Sequence, residues 1–279
     1  MSKVKHIVCH SGGIGSALVA IEVVRKYGTE GVVLLNHDIN PWVEDADIKR
    51  FKQDVADYCG LPITYANIND EMVPEKILDQ FEAVMLAKAF KVGTGTELCT
   101  SKLKTEPFRK WLNTNVPQDP GSKLGITAYY GFDEKEMHRV ERRRKIMKAM
   151  GYKTAFPLVE WDRTIQSLDE VGIEPPGTYG QFKHANCVGC LKAGKQHWYV
   201  VYCTRPDVWK KAVAAEEYIG YTLHRDTTLP DLGKKFEIMK QAGIEATENI
   251  QPQTFWAKVR KICPELKKQE QEKPCECST

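Results

Sequence analysis

The alternation of short apolar runs with helix-like segments limits the folds open to this chain more than any other feature of its sequence. Apolar runs typical of strands occupy residues 4–9, 31–35, 63–68, 125–132 and 154–159. Segments with helical spacing of apolar residues occupy 17–27, 43–58, 73–90 and 134–150. Strands that alternate with helices of this length form parallel sheets covered on both faces. We therefore predict an α/β fold around a parallel sheet.

The clearest break in the chain lies at residues 172–180, where Pro175, Pro176 and Gly177 follow one another. We predict an α/β domain over residues 1–172 and a helical, cysteine-bearing extension over 173–262. Residues 263–279 are rich in Lys, Glu, Gln and Pro, a composition typical of a flexible tail.

Length and composition narrow the class of protein. The chain of 279 residues, 42% hydrophobic, is long enough to bury a core, which excludes disordered and fibrous classes. Because no apolar run approaches the roughly 18 residues of a membrane span and no signal peptide is recognisable, we expect a cytoplasmic protein without a membrane partner. The nine cysteines are an odd set, and in a reducing compartment they indicate metal ligands or reactive thiols rather than disulfides.

A glycine-rich turn follows the first predicted strand, with the sequence Ser11-Gly12-Gly13-Ile14-Gly15-Ser16. Ligands of parallel α/β sheets bind at the carboxyl ends of strands, where glycines admit an anion and the next helix directs its positive dipole end towards it. No Gly-Lys-Ser/Thr follows as in a Walker loop, and the third glycine of a dinucleotide fingerprint is missing. The turn predicts a phosphate site; the alternative is a tight turn with Ser16 as helix cap.

The order of this loop and the later motifs resembles the phosphoadenylyl-sulfate (PAPS) reductase branch of the adenine nucleotide α-hydrolase, or PP-loop ATP pyrophosphatase, superfamily, including members found in phages and bacteria. The similar segments span about residues 4–225: the loop, CTSKLKTEPF at 99–108, GFDE at 131–134 with Arg139, Pro157-Leu158, and HANCVGCLKAGK at 184–195. The resemblance implies a Rossmann-like (HUP-type) sheet and an adenine nucleotide, ATP or PAPS, as ligand.

The resemblance implies an enzyme with one of two chemistries. Either it is a PAPS reductase-like oxidoreductase, in which a cysteine attacks the sulfur of the sulfonucleotide, or an ATP pyrophosphatase-type adenylyl or sulfur transferase. The usual acidic residue of the loop is replaced by Gly15, which favours the reductase-like loops over the ATP pyrophosphatases. In the second case Mg²⁺ is implied beside ATP.

Several charged residues are predicted to surround the loop. Asp38 follows the second strand, where an acidic side chain meets ribose in Rossmann folds or caps a loop. The resemblance implies that anion contacts and charge balance come from Lys102, Lys104, Arg139 and Lys192, with Gly131 and Asp133 in the same nucleotide-binding segment. Guanidinium forks suit phosphate oxygens, although a solvated basic face is the alternative for this helix.

Cys187 and Cys190 have the spacing of a two-ligand metal knuckle, a redox dithiol or a turn with two buried thiols. The resemblance brings Cys99 to the same end of the sheet as a third ligand, with His184 or Cys203 as the fourth. Three cysteines and a histidine favour Zn²⁺, and four thiolates fit either Zn²⁺ or a [4Fe–4S] cluster. The cluster-containing reductases carry paired adjacent cysteines, whereas Cys99 stands alone.

The resemblance also implies a nucleophilic cysteine near the C-terminus, matched here by Cys277 after Glu276, or else a tail without chemical role. Its implied partners are a thiol donor such as thioredoxin or a sulfur donor, a nucleic acid as acceptor, and a second subunit in a homodimer. The alternative from another class is a non-catalytic nucleotide sensor or a zinc-bearing nucleic-acid-binding module. It is favoured by Gly15 and the basic segments at 139–145 and 192–195.

Overall fold

The computed structural model describes residues 4–91, 93, 97–185 and 187–266 of the chain. Within these residues, five strands form one parallel sheet in the order β3-β2-β1-β4-β5. The strands are β1 (His6–Cys9), β2 (Val32–Asn36), β3 (Ile63–Tyr65), β4 (Thr127–Tyr129) and β5 (Lys153–Ala155). The predicted α/β fold with a parallel sheet is confirmed.

Strand β1 lies at the centre of the sheet and pairs with β2 on one side and β4 on the other. Ile7 is in register with Val33 of β2 and with Ala128 of β4. The chain therefore leaves β1 towards one edge of the sheet and later returns to its other side. Open α/β sheets have their ligand crevice outside the carboxyl ends of the two strands at such a reversal, which here are β1 and β4.

Helices cover both faces of the sheet and continue beyond it. They are α1 (Ile14–Tyr27), α2 (Ala46–Cys59), α3 (Gln80–Leu86), α4 (Leu98–Thr100), α5 (Glu106–Asn115), α6 (Pro120–Leu124), α7 (Met137–Ala149), α8 (Pro157–Glu160), α9 (Lys195–Thr204), α10 (Pro206–Ile219), α11 (Leu229–Gln241) and α12 (Pro252–Ile262). A π-helical turn, Ser101–Thr105, joins α4 to α5.

Three apolar clusters hold these layers together. One lies between the sheet and helices α1 and α2, around Phe51, and the second lies on the opposite face beneath α5 and α7, around Leu112. The third unites α3 with α9–α12 around Trp198 and Phe236. Each cluster removes large apolar side chains from water, which is the main favourable contribution to folding.

Several predicted elements are longer than the observed ones, such as the strand predicted at 125–132 and observed at Thr127–Tyr129, and two of the differences have a clear local cause. The predicted helix at 73–90 begins only after Asp79, whose side chain accepts hydrogen bonds from the first turn of α3 in a capping box with Glu82. The predicted strand at 154–159 ends at Ala155, because Pro157 begins the short helix α8. Proline is accepted in the first turn of a helix, since a backbone N–H there would have no acceptor within the helix. In both places, local capping chemistry decides where the helix starts.

Among the described residues, no helix is both long and apolar enough to cross a membrane.

Candidate functional site

The glycine-rich loop lies between β1 and α1, at the carboxyl end of the central strand. Gly12 has a φ of +84°, a left-handed conformation that suits glycine. A Cβ at Gly12 would lie 2.9 Å from Cγ2 of Ile48 and 3.1 Å from Cγ of Lys52. Helix α2 thus packs directly under the loop, and the position requires glycine for steric as well as conformational reasons.

Ser16 braces the loop from inside. Its hydroxyl donates to the carbonyl oxygen of Gly13 at 2.8 Å and accepts from the amide of Ser11 at 3.1 Å. The hydroxyl of Ser11 also lies 3.3 Å from that of Ser16. Ser16 is buried and Ser11 is exposed, so Ser11 is the residue of the pair that is accessible from solvent.

The loop after β4 touches the start of α1 through backbone alone. A Cβ at Gly15 would lie 2.6 Å from the carbonyl oxygen of Gly131, and a Cβ at Gly131 would lie 2.4 Å from the carbonyl carbon of Gly15. Any side chain at Gly15 would clash with this contact. Glycine at position 15 therefore has a steric cause in this chain.

Tyr179 covers the loop from the segment after the Pro175-Pro176 break. The backbone N–H of Ile14 donates to its hydroxyl at 3.3 Å, and the N–H of Ala185 donates to it as well. Burial raises the pKa of Tyr179, so the hydroxyl is neutral at pH 7. The sequence analysis missed this residue, and no motif indicated it, because the contact spans 165 positions of the chain.

Asp38 belongs to a group of four charges beside the loop, of which Asp38, Glu44 and Lys52 are buried and Lys49 is partly exposed. Lys49 Nζ lies 2.6 Å from the Asp38 carboxylate and 3.0 Å from that of Glu44. Lys52 Nζ lies 3.0 Å from Glu44 and 3.5 Å from Asp38. The two lysines balance the two carboxylates, which offsets the desolvation cost of the three buried charges.

The same network fixes the end of β1. His10 is fully buried, and its Nε2 lies 3.1 Å from the carbonyl oxygen of Lys52. Asn36 donates to the carbonyl oxygen of His10 at 2.5 Å. Burial, with a smaller contribution from the Lys52 charge, lowers the pKa of His10 to about 4. His10 is therefore a neutral structural residue that ties α2 to the strand preceding the loop.

Three arginines of α7 lie over three stacked aromatic rings. The rings of Tyr130, Phe132 and Phe156 have centroids 5.7 to 6.0 Å apart and interplanar angles of 21° to 26°. The guanidinium carbons of Arg139, Arg143 and Arg144 lie 4.0, 5.1 and 5.4 Å from the centroids of Phe132, Tyr130 and Phe156 respectively. We call this arrangement the arginine–aromatic stack.

The members of the stack differ in their charge partners. Arg139 pairs with Glu136, and Arg144 pairs with Glu160 at 2.6 Å. Arg143 is half-buried and forms neither an ion pair nor a hydrogen bond with any residue that the structure describes. Arg143 lies four residues after Arg139 and therefore on the same face of α7. The two guanidinium groups nevertheless pack on different rings, Arg139 on Phe132 and Arg143 on Tyr130.

The remaining predicted anion-contacting residues have different environments. Lys102 is exposed and lies 3.0 Å from the Glu106 carboxylate. Lys104 makes no hydrogen bond or ion pair within the described part of the chain, and its charge acts on the nearby His37 and Cys99. Asp133 is exposed and caps the turn before α7.

Lys192 is the last of the predicted anion-contacting residues. Its Nζ lies 3.4 Å from the Glu97 carboxylate, and both charges act on Cys99.

The Cys-x-x-Cys turn is held by a histidine–carboxylate pair. The backbone N–H groups of Gly189 and Cys190 both donate to Nε2 of His197 at 3.2 Å. Nδ1 of His197 lies 3.3 Å from Oε1 of Glu248. With Nε2 as acceptor and Nδ1 as donor, His197 positions the turn and is not poised as a general acid or base.

Cys190 lies close enough to Cys99 and Cys187 for its thiolate charge to disfavour their ionisation, and Cys99 acts on Cys187 in the same way. Burial first, and these charges among the others, raise the pKa of Cys99 to about 11 and of Cys187 to about 12; the pKa of Cys190 is raised by burial. Without a metal ion, all three are therefore protonated and poorly nucleophilic at pH 7.

The other two predicted ligands differ in their neighbours. His184 and Cys190 both lie near the charge of Glu248, whereas Cys203 lies beside Tyr199 in α9. Over residues 4–91, 93, 97–185 and 187–266, no group of three or more His, Cys, Asp or Glu side chains is arranged to hold a metal ion. The metal site therefore stays a prediction.

Cys277 lies outside the described residues. The structure thus brings the loop, Gly131 and the arginine–aromatic stack to the carboxyl ends of β1 and β4. Comparison of the chain with family models, curated proteins and solved structures found no match.

Proposed function

We propose that this protein is an adenine-nucleotide-binding enzyme that acts at the phosphate or sulfate end of ATP or PAPS. The observation that carries the proposal is the position of the Ser11–Gly13 turn: it follows the central strand, opens at the β1/β4 crevice and presents the exposed hydroxyl of Ser11. Backbone amides and hydroxyls at such a strand end are suited to phosphate oxygens.

The charge of a bound phosphate would be balanced from the opposite side of the crevice. Lys104 has no carboxylate partner among the described residues, and Arg139 is held over Phe132 near the loop after β4. Asp38 already forms an ion pair with Lys49, so its carboxylate would have to accept a hydrogen bond from a ribose hydroxyl while it keeps this ion pair. We therefore assign Asp38 first to positioning the loop and second to nucleoside contact.

The choice between the two reaction classes depends on the resemblance and on the lack of space for a side chain at Gly15. Since no carboxylate fits between Gly15 and Gly131, the loop has no acid there to position Mg²⁺ or pyrophosphate. This supports sulfonucleotide reduction with a thiol donor such as thioredoxin over adenylyl or sulfur transfer to an acceptor. The chain's own residues would bind and orient the anion; no step is assigned to a metal.

A charge change inside the loop tests the binding proposal. Gly13 has a φ of −91°, which any residue can adopt, and a Cβ there meets only the Tyr179 hydroxyl and Ser11 Oγ, at ordinary contact distances. Gly13→Asp places a carboxylate where the phosphate would bind, and Gly13→Asn is its neutral match in size. Calorimetric titration with ATP and PAPS should show binding to the wild type and at least tenfold weaker binding to Gly13→Asp than to Gly13→Asn. Equal affinities of the two variants would contradict the proposal.

The chemistry is tested separately. With PAPS and reduced thioredoxin, a reductase releases sulfite, and Cys277→Ser should abolish this release while nucleotide affinity is retained. Sulfite release that survives in Cys277→Ser removes the tail cysteine from the mechanism. Formation of pyrophosphate and AMP from ATP only with an added acceptor would instead establish the transferase chemistry.

A further inference from the structure

We propose that Tyr179 couples occupancy of the glycine-rich loop to the Cys-x-x-Cys turn, because its hydroxyl and a bound anion compete for the N–H of Ile14. The inference rests on the proposed function and adds regulation to it: an anion that enters the loop displaces the tyrosine and loosens the chain before Cys187. It is carried by the two hydrogen bonds that the Tyr179 hydroxyl accepts, one at the start of α1 and one near the cysteines.

The hydroxyl of Tyr179 lies at the N-terminus of α1. The first turn of a helix has N–H groups without acceptors inside the helix, and Gly13, the residue before α1, has no side chain to accept from them. The Tyr179 hydroxyl takes that role, since the N–H of Ile14 donates to it at 3.3 Å. The same oxygen would lie 3.6 Å from a Cβ at Gly13. Under the proposed function, a phosphate oxygen would accept from the same N–H.

The tyrosine hydroxyl is the weaker of these two acceptors. Burial raises the pKa of Tyr179, so its hydroxyl is neutral at pH 7. Its 3.3 Å contact with Ile14 is longer than the roughly 2.9–3.0 Å that is usual for N–H···O bonds. An anionic oxygen forms charge-assisted hydrogen bonds that are roughly twice as strong as neutral ones, and the positive end of the helix dipole favours it further. An anion should therefore replace the hydroxyl at this N–H.

The backbone around Tyr179 is held independently of its ring. The N–H of Gly177 donates to the Asp47 carboxylate at 2.6 Å. The side-chain amide of Asn249 donates to the carbonyl oxygens of Tyr179 and Gly180, both at 3.0 Å. Because these contacts do not use the phenol, they can persist when the hydroxyl loses its place at α1. Displacement therefore requires rotation of the Tyr179 side chain rather than movement of the whole segment.

The same hydroxyl also holds the chain just before the cysteines. The N–H of Ala185, two positions before Cys187, donates to Tyr179. Rotation of the ring leaves this N–H without its acceptor, so the chain before Cys187 should open more often. Cys190 stays held, because its own N–H donates to His197 at 3.2 Å. Occupancy of the loop should therefore expose Cys187 selectively.

The rate of alkylation of the two cysteines tests this coupling. The full chain is treated with iodoacetamide at pH 8, with and without whichever of ATP and PAPS the wild type binds. Fragmentation mass spectrometry separates Cys187 from Cys190. We expect saturating nucleotide to accelerate alkylation of Cys187 about fivefold or more and that of Cys190 by less than about twofold.

Tyr179→Phe removes the hydroxyl and keeps the ring. Without nucleotide, its Cys187 should react about as fast as wild-type Cys187 does with nucleotide, and added nucleotide should change that rate by less than about twofold. Calorimetric titration should show the nucleotide bound about threefold to tenfold more tightly than by the wild type, since the competing acceptor is gone. Tyr218→Phe changes an exposed tyrosine of α10 and should match the wild type in both measurements.

The outcomes separate the coupling from the proposed function. A wild type that binds ATP or PAPS with an unchanged or lower alkylation rate of Cys187 overturns the coupling while the proposed function stands. Equal acceleration of Cys187, Cys190 and Cys59 also overturns it, because it shows general loosening. Unchanged or weaker nucleotide binding by Tyr179→Phe overturns the competition for Ile14. A wild type that binds neither nucleotide overturns the proposed function and this inference with it.

Discussion

Gly15 and Gly131 are in direct backbone contact, and this contact joins the glycine-rich loop to the segment after β4. Neither residue has room for a Cβ, since that atom would lie 2.6 Å and 2.4 Å, respectively, from backbone atoms of the other segment. Because both neighbours are backbone, no flexible side chain can move away to make room. The close approach of the two segments therefore depends on two glycines that are 116 positions apart in the chain.

A methyl group at either glycine should separate the two segments. We expect Gly15→Ala and Gly131→Ala each to lower the free energy of unfolding by about 1–3 kcal/mol and to weaken nucleotide binding. Urea denaturation followed by circular dichroism measures the first effect. Gly180→Ala is the matched control, because nothing lies within 4 Å of its Cβ position. Stability of Gly131→Ala equal to that of Gly180→Ala would show that the contact is not tight.

The buried Lys52 should be needed for stability although it is a charged residue. Its side chain is 1% exposed and lies 3.0 Å from Glu44, which is 2% exposed. Lys52→Met removes a positive charge from beside the buried Glu44 carboxylate. We expect the free energy of unfolding, measured by urea denaturation, to fall by about 3 kcal/mol. Lys110→Met removes a surface pair with Asp70 and should cost under about 1 kcal/mol. The double variant Lys52→Met with Glu44→Leu should recover part of the loss; a Lys52→Met variant as stable as wild type would contradict the network.

The reactivity of the Cys-x-x-Cys turn should depend on His197. Removing its imidazole leaves the N–H groups of Gly189 and Cys190 without their acceptor, so the turn should open more often. We expect His197→Ala to accelerate alkylation of Cys187 and Cys190 by iodoacetamide at pH 8 by about tenfold, measured by mass spectrometry of peptides.

Two controls separate local opening from global unfolding in that measurement. Cys59 is buried in another cluster and should react at an unchanged rate. His138→Ala changes an exposed histidine and should leave all rates as in the wild type. A uniform acceleration at Cys59 as well as at Cys187 would show unfolding of the whole chain instead.

Buried neutral histidines should make stability fall in mild acid. Burial, with the Lys195 charge adding to it, lowers the pKa of His224 from 6.5 to about 4. Between pH 6.5 and about pH 4, His224 therefore binds a proton in the unfolded chain but not in the folded chain. The stabilising effect is complete above pH 6.5 and is lost as the pH falls towards 4, by about 2 kcal/mol between pH 7 and pH 5 for one such histidine.

His224→Phe isolates this contribution. The Nε2 of His224 is buried without a hydrogen-bond partner in the described part of the chain, and its ring packs edge-on against Trp198. A phenyl ring should therefore be accepted, with a shallower decline of the urea midpoint from pH 7 to pH 5. His138→Phe should follow the wild-type curve. A His224→Phe curve parallel to that of the wild type would place the acid sensitivity elsewhere.

Local patterns predicted the part of the fold that positions the loop. The apolar run ending at Cys9, the glycines of the turn and the helical spacing up to Tyr27 are contiguous in sequence, so periodicity and turn chemistry suffice to place them. The same reasoning failed at residues 73–90. There the capping box of Asp79 and Glu82 outweighs the apolar spacing that favoured one long helix.

Contacts between distant segments defined the rest of the candidate site. The contact of Tyr179 with the loop, the pairing of Asp38 with Lys49 and the packing of Arg143 on Tyr130 depend on which elements pack together, and no local pattern encodes that. The surroundings of the predicted ligands also depend on this packing: His184 and Cys190 share Glu248 as a neighbour, whereas Cys203 lies beside Tyr199.

The sequence by itself determined the parallel α/β architecture and the glycine-rich turn after the first strand, because strand and helix periodicity and glycine-rich turns are local properties. Only the tertiary structure decided that Gly15 admits no side chain and that Arg143 packs over Tyr130 with no carboxylate partner in the described part of the chain. Steric exclusion and charge compensation are properties of neighbours in space, and those neighbours are fixed only when the layers pack.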